Sequence, residues 1–398
     1  MTERLYYQDA TQCEFEAGVL RCEPAAGGVR VYLDQTAFYP GTGGQTADTG
    51  TLAGQPVLEV GEDDAGDIYH LLAHPPDATR VRGRVDADRR FDHMQQHTGQ
   101  HILSEAFVRL HRLGTVGFHM SADVSTIDLA TDRLDDRQVA EALRLANAVV
   151  WEDRPVDITY HDAAATGALG LRKPTRREGE VRVIGVADFD RSACGGTHVA
   201  RTGQVGVITI VRTERFGDKT RVYFLCGGRA LRACQDNQAI LSTLSAMATT
   251  GIPELPAKLD KLLQTVKAVE RENGKLKAEL QAERAPALRE QHRGADGISR
   301  VILTLDEPAD VARALCQKLI AGDHRTLAAV LSAPSGTVFI GRTPDLATDM
   351  QVLVAELRAA FGAKGGGRPD FAQMGGLSRE TGAALLDRIG SRYLSCSD

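Results

Sequence analysis

Asp92-His93-Met94-Gln95-Gln96-His97-Thr98-Gly99-Gln100-His101-Ile102-Leu103 is the stretch at which the chain changes character. Upstream, Val29-Arg30-Val31-Tyr32-Leu33 and Val81-Arg82-Gly83-Arg84-Val85 alternate apolar and polar side chains, punctuated by turn residues such as Gly41 to Gly44. A period of two places alternate side chains on one face of a strand, so residues 1–90 predict a small β-barrel or compact sheet. From Asp92 onward, Met94, His97, His101 and the run Leu103 to Leu110 recur at three- and four-residue spacing, the period of a helix. A second helix fits Asp136 to Glu152. Between and after these helices lie strand-like runs at Ser125 to Leu129, Val181 to Val186, Val205 to Val211 and Val222 to Leu225, so residues 91–228 read as an α+β domain.

Two histidines one helical turn apart, His97 and His101, present their imidazoles on one face and can reach a single ion. Cys194-Gly195-Gly196-Thr197-His198 supplies a second pair, with two glycines that allow a sharp turn between the ligands. Imidazole and thiolate together favour Zn2+ over magnesium or calcium, and His97, His101, Cys194 and His198 are the expected ligands. A zinc protease would carry Glu directly after the first histidine; Thr98 stands there, which disfavours that class. Two roles stay open: a closed structural zinc, or one that orients substrate or activates water.

Residues 229–297 are helical in composition. Leu259, Leu262, Val266, Val269, Asn273, Leu276 and Leu280 fall at alternating three- and four-residue spacings, a coiled-coil seam with one polar core position. An antiparallel hairpin against the helix around Ala230 to Thr249, or a seam between two copies of the chain, would each satisfy it. Residues 298–398 alternate strand (Val301 to Leu305, Leu327 to Leu331) and helix (Asp310 to Ile320, Asp349 to Phe361), predicting a C-terminal α/β domain that contains Gly365-Gly366-Gly367. The fold class is therefore α+β multidomain.

With 398 residues, several cores can be built. The net charge of −6 argues against a uniformly basic nucleic-acid binder but leaves room for a local patch. Arg172-Lys173-Pro174-Thr175-Arg176-Arg177 is that patch, able to meet phosphates or to stand as a solvated loop. Seven scattered cysteines read as free thiols or metal ligands. No signal peptide or membrane-spanning apolar run occurs, so the expected location is cytoplasmic, with no membrane partner.

The paired histidines and the Cys-Gly-Gly-Thr-His loop resemble the editing domain of alanyl-tRNA synthetases and of free-standing AlaX-type trans-editing proteins, and are similar to the second additional domain of threonyl-tRNA synthetases. Thr36-Ala37-Phe38-Tyr39-Pro40-Gly41-Thr42-Gly43-Gly44-Gln45, followed by Asp48-Thr49-Gly50, resembles the glycine-rich signature that precedes that domain, with Gly41 departing from the commoner order. The tail Gly365 to Gly376 resembles the DHH-associated C-terminal domain that ends those synthetases. No aminoacylation domain precedes Leu5 and no Gly-x-x-x-x-Gly-Lys-Ser/Thr loop occurs, so the expectation is a long-form AlaX editor rather than a ligase.

That resemblance implies an editing core at 91–228, a deacylase activity on tRNA(Ala) mischarged with serine or glycine, and zinc as cofactor. Thr98 and Gln100, beside the metal ligands, and His119, where related domains often place Gln, are the candidate catalytic residues; for Thr98 and Gln100, solvent-facing helix positions are the alternative. Ser125 and Thr126 either line the same cavity or pair across a sheet. The candidate tRNA contacts are Arg172, Lys173, Arg176 and Arg177, together with Gly365, Gly366 and Gly367, whose backbone can form an anion nest. A non-catalytic tRNA-binding protein with a structural zinc is the competing function. A homodimer through the linker or the C-terminal domain would be compatible with either.

Overall fold

The computed structural model describes residues 2–175 and 179–394, so Arg176, Arg177 and Cys396 lie outside the described residues. Two compact units divide at residues 243 and 244.

The first unit begins with nine strands: β1 Glu3–Arg4, β2 Glu14–Ala25, β3 Gly28–Leu33, β4 Gln35–Thr36, β5 Gly50–Leu52, β6 Gln55–Pro56, β7 Glu59–Glu62, β8 Ile68–Leu72 and β9 Arg80–Val85. Seven form one antiparallel sheet in the order β6-β5-β9-β2-β3-β8-β7. The long strand β2 serves two neighbours: Glu14 to Gly18 pair with β9, and Val19 to Ala25 with β3. A register shift between Val19 and Arg21 separates the two halves, and a bulge there bends the strand and curls the sheet. The expected barrel is thus a half-barrel, with β6 and β7 as its free edges. Its concave face buries Phe15, Val31, Leu33, Phe38, Leu52 and Val81.

Helix α1, Ala87–His111, follows directly. It starts five residues before the apolar period does, because its start is set by a cap: the Asp86 carboxylate accepts from the Arg89 N–H at 3.1 Å. Strands β10 Thr115–Met120 and β11 Ser125–Leu129, helix α2 Asp136–Trp151, strands β12 Val156–Asp162, β13 Glu180–Val186, β14 Asp190–Ala193, β15 Ile208–Phe216 and β16 Lys219–Cys226 complete the core. The sheet β10-β11-β16-β15 packs against α1 and α2 around Ile102, Phe107, Ile127, Val149, Val222 and Phe224. A three-stranded sheet, β12-β13-β14, carries the segment that leads to Cys194. The strand expected over 205–211 is displaced to β15: Thr202–Val205 is a 3-10 turn, and Gly206 takes a left-handed φ of +76° that no β-strand accommodates.

Helix α3, Gly227–Ala248, leads out of this unit, and α4, Leu255–Gln291, opens the second. Leu259, Leu262, Val266, Val269, Leu276 and Leu280 are between 47% and 58% exposed, so the seam read from the sequence stands uncovered. Beyond it lie β17 Ser299–Leu305, α5 Ala309–Leu319, β18 Thr326–Ser332, β19 Thr337–Arg342, α6 Met350–Phe361, β20 Lys364–Gly367, β21 Phe371–Gly375 and α7 Arg379–Leu394. The mixed sheet β17-β18-β19-β21-β20 is covered by α5 and the end of α4 on one face and by α6 and α7 on the other. This is the α/β domain that the alternation predicts.

One buried contact ties the half-barrel to the helical core. Arg90, 1% exposed, donates from Nη1 to Ala10 O at 2.7 Å and from Nη2 to Ala37 O at 2.5 Å, and forms an ion pair with Asp48. Asp48 also accepts from the Tyr39 N–H at 2.7 Å. Removing the cation alone leaves a carboxylate buried without its counter-charge, so Arg90→Met is expected to cost about 3–5 kcal/mol in denaturant unfolding. A cost below about 1 kcal/mol, the range of a solvent-exposed pair, would contradict this role.

Candidate metal centre

Helix α1 carries His97 and His101 on the face turned toward the loop after β14, and all four expected ligands meet there. The ligand atoms of His97, His101, Cys194 and His198 lie within 4.8 Å of one another. Cys194 Sγ is 3.4 Å from His97 Nε2 and 3.3 Å from His198 Nε2. Tetrahedral zinc with ordinary Zn–S and Zn–N bonds would set these edges at about 3.6 Å, so the donors stand near their bound separation.

Each imidazole has its other nitrogen engaged. His97 Nδ1 meets Gln45 Oε1 at 2.7 Å, His101 Nδ1 meets Asp190 Oδ2 at 3.0 Å, and His198 Nδ1 meets Thr98 Oγ1 at 3.1 Å. A carboxylate only accepts, so His101 donates from Nδ1 and turns Nε2 inward. The same tautomer in the other two rings gives three Nε2 donors converging on one point, the outer-shell arrangement usual for zinc histidines. The fit to Zn2+ is therefore one of donor chemistry, distance and ring orientation together.

Electrostatics agree. Burial opposes ionisation of Cys194, but His97 and His198 and hydrogen bonds from His101 and His198 hold its thiol well below the ordinary value, favouring the thiolate. Burial, reinforced by His97, pushes His198 down to about 3, so it is a neutral donor at pH 7. For His101, burial is outweighed by the Asp190 hydrogen bond and the Cys194 sulfur, which raise it.

Glycines make the close approach of the ligand segments feasible. A Cβ on Gly196 would run into the His97 ring, so only glycine lets the loop fold over that ligand. Arg182 then fixes the loop from below, donating from Nη1 to Cys194 O at 2.8 Å and Gly196 O at 3.0 Å.

Beside the ligands opens a cavity of about 540 Å³ whose lining includes His97, His101, Cys194, Gln100 and Gly43. Phe118 lines it too, tilted over the His97 ring at 5.1 Å between centroids. Val108, Val116 and Pro174 give an apolar wall, and Thr115, Lys173 and Ser192 a polar one.

The candidate residues divide. Gln100 lines the cavity and donates to Ser104 Oγ at 2.8 Å. Thr98 is fully buried behind the ligands, where its hydroxyl holds His198 and accepts from the Val199 N–H at 3.2 Å. His119 is exposed and outside the cavity lining; it pairs with Thr126 in β11, and strand alternation turns it to the face opposite Phe118. Ser125 and Thr126 pair across the sheet. Arg172 and Lys173 both line the cavity, and Arg172 is anchored there, with Nε 3.1 Å from Asp190 Oδ1 and Nη2 donating to Ser192 Oγ at 2.9 Å. Gly365 to Gly367 form β20, paired with β21, so their successive N–H groups point to opposite sides and form no anion nest. Sequence reasoning gave no role to Gln45, Asp190, Phe118 or Arg182. Gln45 lies inside a quoted motif; the other three carry no local signal.

Comparisons with known proteins follow this geometry. The family described as the threonyl and alanyl tRNA synthetase second additional domain matches residues 181–223. An alanine–tRNA ligase of Halorubrum lacusprofundi is 35% identical over 396 residues, covering 94% of this chain and 42% of the ligase. One of Pyrococcus abyssi is 33% identical over 386 residues, with the same coverage of 94% and 42%. The chain thus spans about two fifths of the length of these ligases. The alanyl-tRNA editing protein AlaX-L of Pyrococcus horikoshii is 29% identical over 386 residues, with 94% of each chain covered.

Gly99, between the two helix ligands, offers a test of the packing. A Cβ there would overlap the buried Cys226 sulfur and come within 3.3 Å of Val205 Cγ1. Glycine to alanine inside a helix ordinarily stabilises by about 1 kcal/mol. Here Gly99→Ala is expected to destabilise by about 1–3 kcal/mol through overpacking, and Cys226→Ala to relieve it in the double variant. Thermal unfolding of the three variants decides; a stabilised Gly99→Ala would contradict the contact.

Proposed function

Because the chain belongs to the AlaX-type alanyl-tRNA editing proteins, we propose that it hydrolyses the ester of tRNA(Ala) mischarged with serine, and also with glycine. The observation that carries this reading is the position of the cavity: three of the four ligands and Gln100 form part of its lining, and its volume suits a small terminal group of a larger substrate.

Such an activity has a physical reason to exist. A pocket for alanine must reject glycine and serine, which differ by one methyl or one hydroxyl, and differences of that size are worth only about 1–3 kcal/mol. A second site whose polar groups bind the serine hydroxyl discriminates more strongly, since a substrate lacking it leaves those groups unpaired. Gln100, Thr115 and Ser192 are among the polar groups this cavity offers, beside the apolar wall of Val108 and Phe118.

In the proposed reaction, water adds to the ester carbonyl, the bond to the ribose oxygen breaks, and that oxygen takes up the proton. Zinc, when bound, supplies a Lewis acid beside the ester. Gln100 orients the amino-acid end, Phe118 shields it from solvent, and Thr98 acts from behind by holding His198. Among the described residues no carboxylate lines the cavity, which makes the terminal ribose hydroxyl the natural relay for the proton. Lys173 at the wall, with Arg176 and Arg177 further along the same segment, meets phosphates of the acceptor arm. The uncovered seam of α4, with Asn273 fixing register, is the proposed contact between two copies.

A second reading has its own support. Four protein ligands are the hallmark of a closed structural zinc, which suits a tRNA-binding protein without chemistry. Incubation with Ser-tRNA(Ala), Gly-tRNA(Ala) and Ala-tRNA(Ala) separates the two. Editing predicts loss of the ester from the first two and its persistence in the third; no loss from any, with tRNA still bound, establishes the binding protein. Lys173→Ala should weaken tRNA binding and lower the slope of log K against log salt by about one. An unchanged slope would remove Lys173 from the interface.

A further inference from the structure

Gln45 belongs to the half-barrel, yet its side chain is 2% exposed and touches both metal-binding segments. Its Oε1 lies 2.7 Å from His97 Nδ1 and accepts from the Thr197 N–H at 3.2 Å. Its Nε2 donates to Thr197 Oγ1 at 2.9 Å. The Thr197 N–H can only donate, so it fixes which end of the amide is oxygen, and that oxygen in turn selects the His97 tautomer whose Nε2 faces the ion. One amide thereby joins helix α1, the Cys-Gly-Gly-Thr-His loop and the glycine-rich segment 41–47.

That segment also forms cavity wall at Gly43, two residues away. Its path is held on both sides of Gly43. Tyr39 Oη donates to Thr42 O at 2.8 Å, and the Met120 N–H donates to Gly44 O at 2.8 Å. Gly44 takes a φ of +91° against the Phe118 carbonyl, and Thr46 Oγ1 meets His93 Nε2 at 3.2 Å. Gln45 and the cavity wall at Gly43 therefore belong to one short stretch of backbone held on either side, and ordering of one involves the other.

We infer that Gln45 is a positioning residue for the metal, and that through it metal binding and the cavity wall at Gly43 are thermodynamically linked. The inference rests on the four-ligand centre and not on the ester reaction, so a failure of deacylation leaves it standing. Linkage is reciprocal: whatever ordering of the loop the metal induces, ordering of the loop returns as metal affinity.

The test uses the full chain. Zinc affinity, measured by competition with a chromophoric chelator, is expected to fall about 10- to 100-fold in Gln45→Met, as for loss of other outer-shell partners of metal-bound histidine. Gln45→Glu, which keeps an acceptor for His97 and for the Thr197 N–H, is expected to retain most of the affinity. The visible bands of bound Co2+, which report ligand geometry, should shift in Gln45→Met and be restored toward the original in Gln45→Glu. In the unaltered protein, zinc should slow amide hydrogen exchange over residues 41–47 as well as around 97–101 and 194–198. A folded Gln45→Met that binds zinc as the parent does would overturn the positioning role. Should that variant fail to fold, exchange in the unaltered protein still decides: zinc protection confined to the ligand segments, with 41–47 unaffected, would overturn the linkage.

Discussion

The buried ion pair between Arg90 and Asp48 sets where the half-barrel meets the metal-binding helix. Arg90 lies seven residues before His97 on α1, two turns along the same face, and its guanidinium gathers Ala10, Ala37 and Asp48 from the segments that connect the N-terminal strands. The segment between Ala37 and Asp48 is thereby pinned at both ends onto the helix that carries two ligands. Everything the glycine-rich segment contributes follows from that: Gly43 at the cavity, Gly44 against Phe118, and Gln45 on His97. A charge so placed is costly to desolvate and tolerable only because its hydrogen bonds are made. Its effect is to fix register between two subdomains that share no continuous strand.

A second charge relay explains why a basic segment near the cavity is not simply a phosphate-binding loop. Asp190 is fully inside the protein, shared by His101, Arg172 and Ser192. Without Arg172 the carboxylate would face one histidine whose charge is itself opposed by burial. Arg172 supplies a permanent cation, and the carboxylate can then remain ionised as the partner of a zinc ligand. Both neighbours line the cavity, but Arg172 is bound to Asp190 and Ser192 and so serves the centre as well.

Much of this was legible in the sequence because it is periodic or cap-driven. The alternation at Val29 to Leu33 and Val81 to Val85, the histidine spacing, and the strand–helix order of the C-terminal domain reflect backbone geometry acting over a few residues. The ligand set was readable because zinc demands rare residue types at short spacings. What could not be read depends on contacts between distant segments. The half-barrel curls at one bulge in β2 and ends at the unpaired edges β6 and β7; His119 faces outward because β10 pairs in one register and not the next; Gly365 to Gly367 became a strand because β21 lies beside them. Gln45 and Asp190 act across 52 and 89 residues, respectively, to reach their histidines, a separation at which a single chain carries no local trace of the partnership.

The same architecture couples the metal to the cavity whatever the metal's role. If the zinc only closed the helix onto the loop, its loss would still disturb His97, and through Gln45 the wall at Gly43, and so the cavity. Loss of the proposed hydrolysis on chelation is therefore expected whether or not the ion ever contacts the ester. The discriminating property is geometric: His97, His101 and Cys194 border the cavity, whereas His198 is held from behind by Thr98 and is absent from its lining. A ligand exchanged for substrate or water would have to leave from the cavity side, and there each histidine is tethered through Nδ1 to a buried partner. Cys194 is held by the backbone instead, its sulfur meeting His97 and His198 and accepting from the Gly196 N–H at 3.4 Å. The cavity side of the centre thus presents His97, His101 and Cys194, and these are the residues that would hold the ion where a group bound in the cavity would meet it.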